Sequence, residues 1–387
     1  TDQNIDALED ARYLYNFFNG KNIQKGGRKR FSYETFNNLY KIISRKYFEP
    51  SNVIELSQII KNNNGQKIRI SGSNHTFNNI SLSKDCIIRT NKLNKILSID
   101  LVNKHVTVES GAKLYSINEY IKKYNITLPV IPATSRASIG GCIALGVHGS
   151  RMDFGTMSQS VINIKLINFE GEEVIFDQNN PFFDAVKCNL GCLGAIYSIT
   201  LKCEDLFSID QHYESISLND FSNNYKQILE EFTFTSGYLD PLNKNIVLNK
   251  SKKIDYINNK PVFESISSKE KSKYYLECET AIDLDNINIL KDFCDFYVKY
   301  LKDINLYIKS DLLIRFCNAD NTLISMSSNR ETFFISVFID ETVESKLAIS
   351  VLKDMSNYLI NKNGRPHYGK INDLNKEKMI KIYKRNY

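Results

Sequence analysis

Five histidines in a chain of 387 residues are few, and two of them sit beside glycines in short polar stretches. His75 lies in "SGSNHT" (71–76), directly after the alternating run "KIRIS", and His148 lies in "GVHGS" (146–150). A neutral imidazole held in a shaped pocket serves as a nucleophile or a covalent anchor. The plainer role for a histidine in a polar turn is to face solvent or to bond within the turn. Three glycine-bearing loops accompany them: "SGSNHT", "SIGGCIALGVHGS" (138–150) and "LGCLGA" (190–195). Glycine lets backbone N–H groups approach an anion closely or adopt positive φ, so several such loops converging would hold a pyrophosphate. None has the Walker spacing, and Gly140, Gly141 and Gly146 do not give the Rossmann Gly-x-Gly-x-x-Gly. On spacing alone, ordinary strand-end turns remain the simpler reading.

Metal and disulfide chemistry find little support. Eight cysteines in this length make no disulfide scaffold, no Cys-x-x-Cys occurs, and neither does His-Glu-x-x-His. The cysteines read as small buried apolar residues. Net charge is +6, with Lys and Glu interspersed, and the one tight basic cluster, "KGGRKR" at 25–30, reads as a solvated face. A nucleic-acid surface needs a longer basic stripe with interleaved aromatics. No apolar run approaches the ~18 residues of a membrane span. The first residues, "TDQNIDALED", lack the layout of a signal peptide. A cytoplasmic location is the resulting expectation.

The elements that must position these residues follow from length and periodicity. The chain is too long for one ordinary core, so two domains are expected. Residues 1–47 read as a helical lead-in, "YETFNNLYKIISRKY" included. Residues 48–206 read as one α+β unit: a helix in "EPSNVIELSQIIKNN", strands "KIRIS" and "CIIRT", and a hairpin "ILSID"/"HVTVES". A helix "KLYSINEYIKKYN", a glycine-rich connector over 138–150 and a hairpin turning at Glu170-Gly171 follow. After 206 the helices and alternating strands lengthen ("DNINILKDFCDFYVKYLKD", "LLIRFCN", "ETFFISVFID"), which predicts a second domain over 207–362 on an antiparallel sheet. Residues 363–387 form a C-terminal segment carrying "NGRPHYGK".

Taken in order, "ISGSNHTFNNI", "ASIGGCIALGVHGSRMDFGTMSQSV", "LGCLGAIYSITLKC", "LLIRFCNADNTLISMSSNRETFFI" and "NGRPHYGK" resemble the FAD-linked oxidases of the vanillyl-alcohol oxidase superfamily. Within it the chain is most similar to the branch of sugar-1,4-lactone oxidases (gulonolactone and arabinonolactone oxidases) and alditol oxidases. The resemblance covers about residues 45–380. It implies a PCMH-type FAD-binding domain of two α/β subdomains returning to the flavin through residues 363–387, with a substrate-binding cap domain.

By position, the resemblance implies that His75 carries FAD covalently. Ile70, Ser71, Gly72, Ser73, Asn74 and Thr76 match the pyrophosphate loop. Ser138, Gly141, Cys142, Val147, His148, Gly149 and Ser150 match the second flavin loop, and Ile196 the adenine end. Arg315 matches an arginine that contacts the substrate hydroxyl, Lys370 a lysine beside flavin and substrate, and Ser336 a polar pocket position. Fixed cations favour hydride transfer and loss of the hydroxyl proton. A buried lysine with a lowered pKa would also accept that proton.

The chain departs from the pattern at Leu313, where the family carries a glutamate two residues before the arginine. On a strand Asp311, Leu313 and Arg315 share a face, with Asp311 about 6–7 Å away. Phe334, Ser336 and Phe338 share a face of a neighbouring strand, and Phe338 is expected to narrow the pocket. Relatives also continue with an Asp-Pro-x-Gly segment that this sequence does not show. The expected activity is oxidation of a CH–OH group on a sugar lactone or polyol, with dioxygen reduced to hydrogen peroxide. A dehydrogenase using another acceptor and a flavin-binding scaffold with reduced or lost catalysis stand as alternatives.

Overall fold

The structure is a computed structural model describing residues 31–35, 39–257, 260–266, 275–308 and 310–383. The expected helical lead-in is corrected in its described part. The described residues between 31 and 48 include β1 (Phe31–Glu34) and β2 (Lys41–Ser44), which pair as antiparallel strands. The reason lies in side-chain type. Tyr33 inserts into a small core with Leu82 and Ile87 against which Tyr40, Ile42 and Tyr47 pack, and aromatic and β-branched residues suit a pleated surface better than a helix. Residues 1–30 lie outside the described residues.

β3 (Lys46–Phe48), the helix Val53–Asn62, β4 (Ile68–Ser71) and β5 (Cys86–Arg89) build a parallel sheet ordered β3-β5-β4. Its helix is capped by Asn52, whose side chain accepts from the Glu55 amide at 2.9 Å. β6 (Ile96–Asp100) and β7 (His105–Glu109) form the expected hairpin. The two-residue strand β8 (Ile126–Thr127) follows the helix Leu114–Ile121. The glycine-rich connector contains a helix, Ile139–Ala144, whose Ile139, Cys142 and Ile143 are buried in the core of the unit. β9 (Val161–Ile167), β10 (Glu173–Asp177) and β11 (Ala195–Lys202) join β6 and β7 in an antiparallel sheet ordered β10-β9-β11-β7-β6. β12 (Glu204–Asp205) pairs with β8.

The second domain is one antiparallel sheet, as its alternating strands predicted. It uses β13 (Phe207–Ser217), β14 (Phe234–Asp240), β15 (Asn245–Asp255), β16 (Tyr275–Asp283), β17 (Leu312–Cys317), β18 (Thr332–Asp340) and β19 (Arg365–Pro366). Their order is β13-β15-β14-β17-β18-β16-β19. β19 brings the C-terminal segment onto the edge of this sheet beside β16.

Side chains along a strand alternate between faces. Leu312, Ile314 and Phe316 of β17 and Phe333, Ile335 and Val337 of β18 therefore share a core with Phe221, Phe293, Tyr297 and Met355 from three covering helices. The intervening residues, Leu313 and Arg315, Ser336 and Phe338, and Glu277 and Glu279, point to the opposite face, toward the flavin-loop unit. The helices thus use up the apolar half of the alternation and leave the chemistry on the other half.

Phe293 is fully buried and stacks near Tyr297 with ring centroids 6.2 Å apart. Phe293→Ala is expected to destabilise the protein by about 3–5 kcal/mol through the cavity it leaves, measured as a drop in urea midpoint with the slope unchanged.

Candidate active site

The expected site residues converge on one cavity of about 500 Å³ between the two units, within the range of about 300–1,000 Å³ usual for small-molecule sites. The turn from Ile70 to Thr76 lies on its wall, as do Ser138, Gly141, Cys142, Val147, His148, Ile196, Arg315 and Lys370. Leu313 and Phe338 also reach it. Gly149, Ser150 and Ser336 lie outside the wall: Ser150 bonds the Thr235 carbonyl, and Ser336 is buried behind Glu279.

The turn is held by its own polar groups. Asn74 adopts φ 59°, donates to the Glu34 carbonyl at 2.7 Å and accepts from the Ser81 hydroxyl at 2.7 Å. Asparagine is among the residues that tolerate this left-handed region. The Ser73 amide donates to Ser138 Oγ at 3.2 Å, which joins the first loop to the second. Gly72 lets the two loops pack closely: a Cβ on it would lie 1.9 Å from Ser138 Oγ and displace that hydroxyl. Asn78 donates to the carbonyls of Tyr368 and Lys370 at 2.7 and 2.8 Å, tying the histidine turn to the C-terminal segment.

The opposite wall carries four buried charges in two pairs. Arg315 is ion-paired with Glu279, and Lys370 with Glu277. Glu279 side-chain exposure is zero and that of Glu277 is 3%, against 13% for Arg315 and 19% for Lys370. The glutamates are thus sunk behind the cations. Lys370 also lies over the Phe77 ring, 4.6 Å from its centroid. Ser336 donates to Glu279 at 3.0 Å.

Burial alone would raise both carboxyls, but the Arg315 guanidinium and the nearby histidines hold Glu279 well below its usual value. Glu277 is raised, with burial outweighing Lys370. Lys370 is itself raised, because Glu277 and Glu279 outweigh its burial. This corrects the expectation of a lysine with a lowered pKa. Paired with Glu277, Lys370 is favoured as an ammonium.

Glu277 and Glu279 are the residues that the sequence reading missed. Their signal was the strand "YLECETAID", in which two glutamates share a face of a strand whose Cys278 and Ile282 are fully buried. Charge there needs a partner. They also bear on Leu313. In the antiparallel register Leu313 faces Ser336, and Ser336 faces Glu279. A carboxylate therefore stands in the same cross-strand row as Leu313, two strands away.

The three histidines of the cavity wall are all pushed toward the neutral form. Burial, with Lys113 and Lys370 adding to it, lowers His75 to about 4. His75 is mostly buried and lines the cavity. His367 is lowered to about 3, chiefly by burial, and its Nδ1 accepts from the Gly369 amide at 3.0 Å. His148 is lowered by burial and Arg315, stacks on Phe334 with centroids 3.5 Å apart, and faces the Gly149 carbonyl through Nδ1 at 2.9 Å.

The wall near Gly191, Gly194 and Ile196 completes the cavity. There Asn189 Nδ2 is buried without a hydrogen-bond partner among the described residues, as is Ser110 Oγ, also of the cavity wall. Buried unpartnered polar atoms facing a cavity, together with glycines where backbones approach closely, suit a polar cofactor. Comparison with known proteins names that cofactor. Residues 45–177 match the FAD binding domain family, and residues 269–387 match the D-arabinono-1,4-lactone oxidase family. The chain belongs to the FAD-linked oxidases.

The chain is 24% identical to an L-gulonolactone oxidase of Scyliorhinus torazame over 92% of the chain and 93% of that protein. It is 27% identical to a D-arabinono-1,4-lactone oxidase of Candida glabrata over 58% of the chain, covering 44% of that protein. With a mitochondrial L-galactono-1,4-lactone dehydrogenase of Arabidopsis thaliana it shares 28% identity over 49% of the chain and 32% of that protein. The matched region thus spans less than half of the latter two. In fold it resembles cholesterol oxidase from Brevibacterium sterolicum (TM-score 0.73, 13% identity, 88% of this chain and 86% of that one). It also resembles 6-hydroxy-D-nicotine oxidase from Arthrobacter nicotinovorans (TM-score 0.65, 12% identity, 88% and 87%).

The cofactor is FAD. The first loop, with Gly72 leaving room beside Ser138, and the second loop are the residues that would hold it.

Acid stability follows from the histidines. A histidine whose folded pKa lies below its unfolded value contributes stability above the unfolded pKa and loses it as pH falls. For His367 that loss runs from 6.5 down toward about 3. It is expected to approach about 1.4 kcal/mol per pH unit. Urea unfolding across this range should show His367→Gln with a slope smaller by nearly one proton than the parent.

Proposed function

We propose that the chain is an FAD-dependent oxidoreductase oxidising a CH–OH group of a sugar-1,4-lactone or alditol. In this reading the flavin is attached covalently through His75, and dioxygen is reduced to hydrogen peroxide. The carrying observation is that His75, Arg315 and Lys370, far apart in sequence, reach one cavity walled by glycine loops. The lactone-oxidase family match over 269–387 includes two of the three.

FAD, when bound, supplies the hydride acceptor. The chain's own residues supply the rest. His75 is neutral at ordinary pH, as a nucleophilic imidazole must be. Arg315 is held by Glu279, and Glu279 by Ser336, so the guanidinium is a preorganised donor for a substrate hydroxyl. Lys370 places a permanent positive charge on the same wall. Leu313 and Phe338 contribute an apolar, narrowing surface. Catalysis, rather than flavin storage alone, is favoured because both cations stay fixed toward the cavity. A non-oxygen acceptor is the second reading, favoured by the relative named a dehydrogenase. A cytoplasmic location goes with the proposal, supported by eight unpaired cysteines, seven of them buried.

Acid precipitation of the purified protein is expected to leave the yellow colour with the pellet, and His75→Ala to release it. A panel of sugar-1,4-lactones and alditols is expected to bleach the flavin anaerobically and to yield peroxide in air. Bleaching without peroxide would assign another acceptor. No bleaching by any compound, with flavin bound, would leave the scaffold reading.

A further inference from the structure

The oxidation of a CH–OH group releases a proton as well as a hydride, and the wall that faces the substrate contains few groups able to take it. Lys370 is held as an ammonium by its glutamate. Arg315 is a permanent cation. Glu279 has one oxygen committed to Arg315 and Ser336, and its other oxygen is buried against His148 Nε2 at 3.5 Å. Glu277 differs. Lys370 takes its Oε2, and Oε1 makes no hydrogen bond among the described residues while the residue lines the cavity. The carboxylate is therefore anchored at one oxygen and available at the other.

We propose that Glu277 is the proton acceptor of the reaction, taking the substrate hydroxyl proton at Oε1 while Lys370 holds Oε2. This rests on the lactone or alditol oxidation proposed above. The step balances: the substrate C–H bond breaks, with its electron pair leaving as hydride to the oxidised flavin. The O–H bond breaks with its proton passing to Glu277, and the C=O double bond forms. The flavin is the oxidant and the alcohol carbon is oxidised.

The neighbours of Glu277 suit it to the task. Lys370 from the segment after β19 and Arg315 from β17 favour its charged form, whereas burial and Glu279 on the same strand favour its protonated form. Burial dominates, so Glu277 holds a proton more tightly than an ordinary carboxylate. Tyr275, on the same strand face, and His367 complete the titratable set around the pair. Two carboxylates two residues apart are thus driven in opposite directions, the arrangement that assigns one to proton transfer and the other to structure.

The test is anaerobic stopped-flow bleaching of the flavin-loaded enzyme by a lactone that reduces the parent, across the acid range, for the parent, Glu277→Gln and Glu277→Asp. The parent's reduction rate is expected to fall as pH drops through the Glu277 titration. Glu277→Gln is expected to lose roughly 100- to 10,000-fold in rate and the acid limb with it, whereas Glu277→Asp is slower but keeps the limb. A second readout does not depend on the variant folding. Infrared difference spectra of the parent on reduction by substrate are expected to gain a protonated-carboxyl C=O band. Bleaching of Glu277→Gln at the parent rate with the acid limb intact would overturn the role, as would a reduced parent lacking the band. A parent that binds flavin but is bleached by no lactone or alditol would instead overturn the oxidation reading on which the role rests.

Discussion

The molecule is organised around the neutralisation of four charges on the inner face of the cap sheet. Glu277 and Glu279 have almost no exposed side-chain surface, and an isolated carboxylate so placed would cost several kcal/mol. Each has a cation in direct contact, so the quartet sums to zero. The cations come from different parts of the chain, Arg315 from β17 and Lys370 from the segment after β19. The pairing therefore requires that the C-terminal segment lie along β16. The backbone enforces the same approach, since His367 and Ile371 donate their amides to the carbonyls of Glu279 and Glu277, each at 2.9 Å. Charge and register support one geometry.

That geometry fixes the distance between the two halves of the site. Asn78, three residues beyond His75, grips the carbonyls on both sides of Gly369, and the Phe77 amide donates to the Gly369 carbonyl at 2.7 Å. The histidine turn and the lysine are thus clamped together by the Asn78 side chain and one backbone bond, independently of any bound group. Phe77 then lies beneath the Lys370 ammonium. The cation is immobilised by a carboxylate, an aromatic face and its own backbone, which is the preorganisation that electrostatic stabilisation needs.

Much of this was legible in the sequence where local rules and tertiary demands agree. The hairpin 96–109, the turn at Gly171 and the cap strands 312–317 and 332–340 follow from period-two alternation and turn residues. Residues 31–48 misled because Tyr33 and Tyr40, seven apart, also fit one face of a helix, and only the packing against Leu82 and Ile87 decides for extended chain. The helix 139–144 hid behind its glycines. Gly140 is there because a Cβ would fall 2.7 Å from the Ser110 Cβ, so it marks close packing and not a loop. The cofactor loops were readable through resemblance, but the glutamates opposite them were not, since no motif marks a residue whose role depends on a partner some 90 positions away in Lys370.

Leu313 shows why the glutamates matter. Read alone, a leucine in place of a family glutamate removes a carboxylate that would grip substrate hydroxyls, and it leaves the arginine two residues on without a carboxylate beside it on its own strand. The register restores it from the side. Leu313, Ser336 and Glu279 lie in one row across β17, β18 and β16, and Glu279 reaches back to Arg315 with Ser336 donating to the same oxygen. An arginine so held keeps its orientation whether the carboxylate stands on its own strand or two strands away. What changes is the surface beside it, where Leu313 presents methyl groups to the cavity in place of an acceptor. The polar groups left on that wall are Arg315 and, on β16 beside the C-terminal segment, Glu277 with its partner Lys370. In the proposed reaction, the reacting hydroxyl would lie between Arg315 and the Glu277–Lys370 pair, all three of which line the cavity.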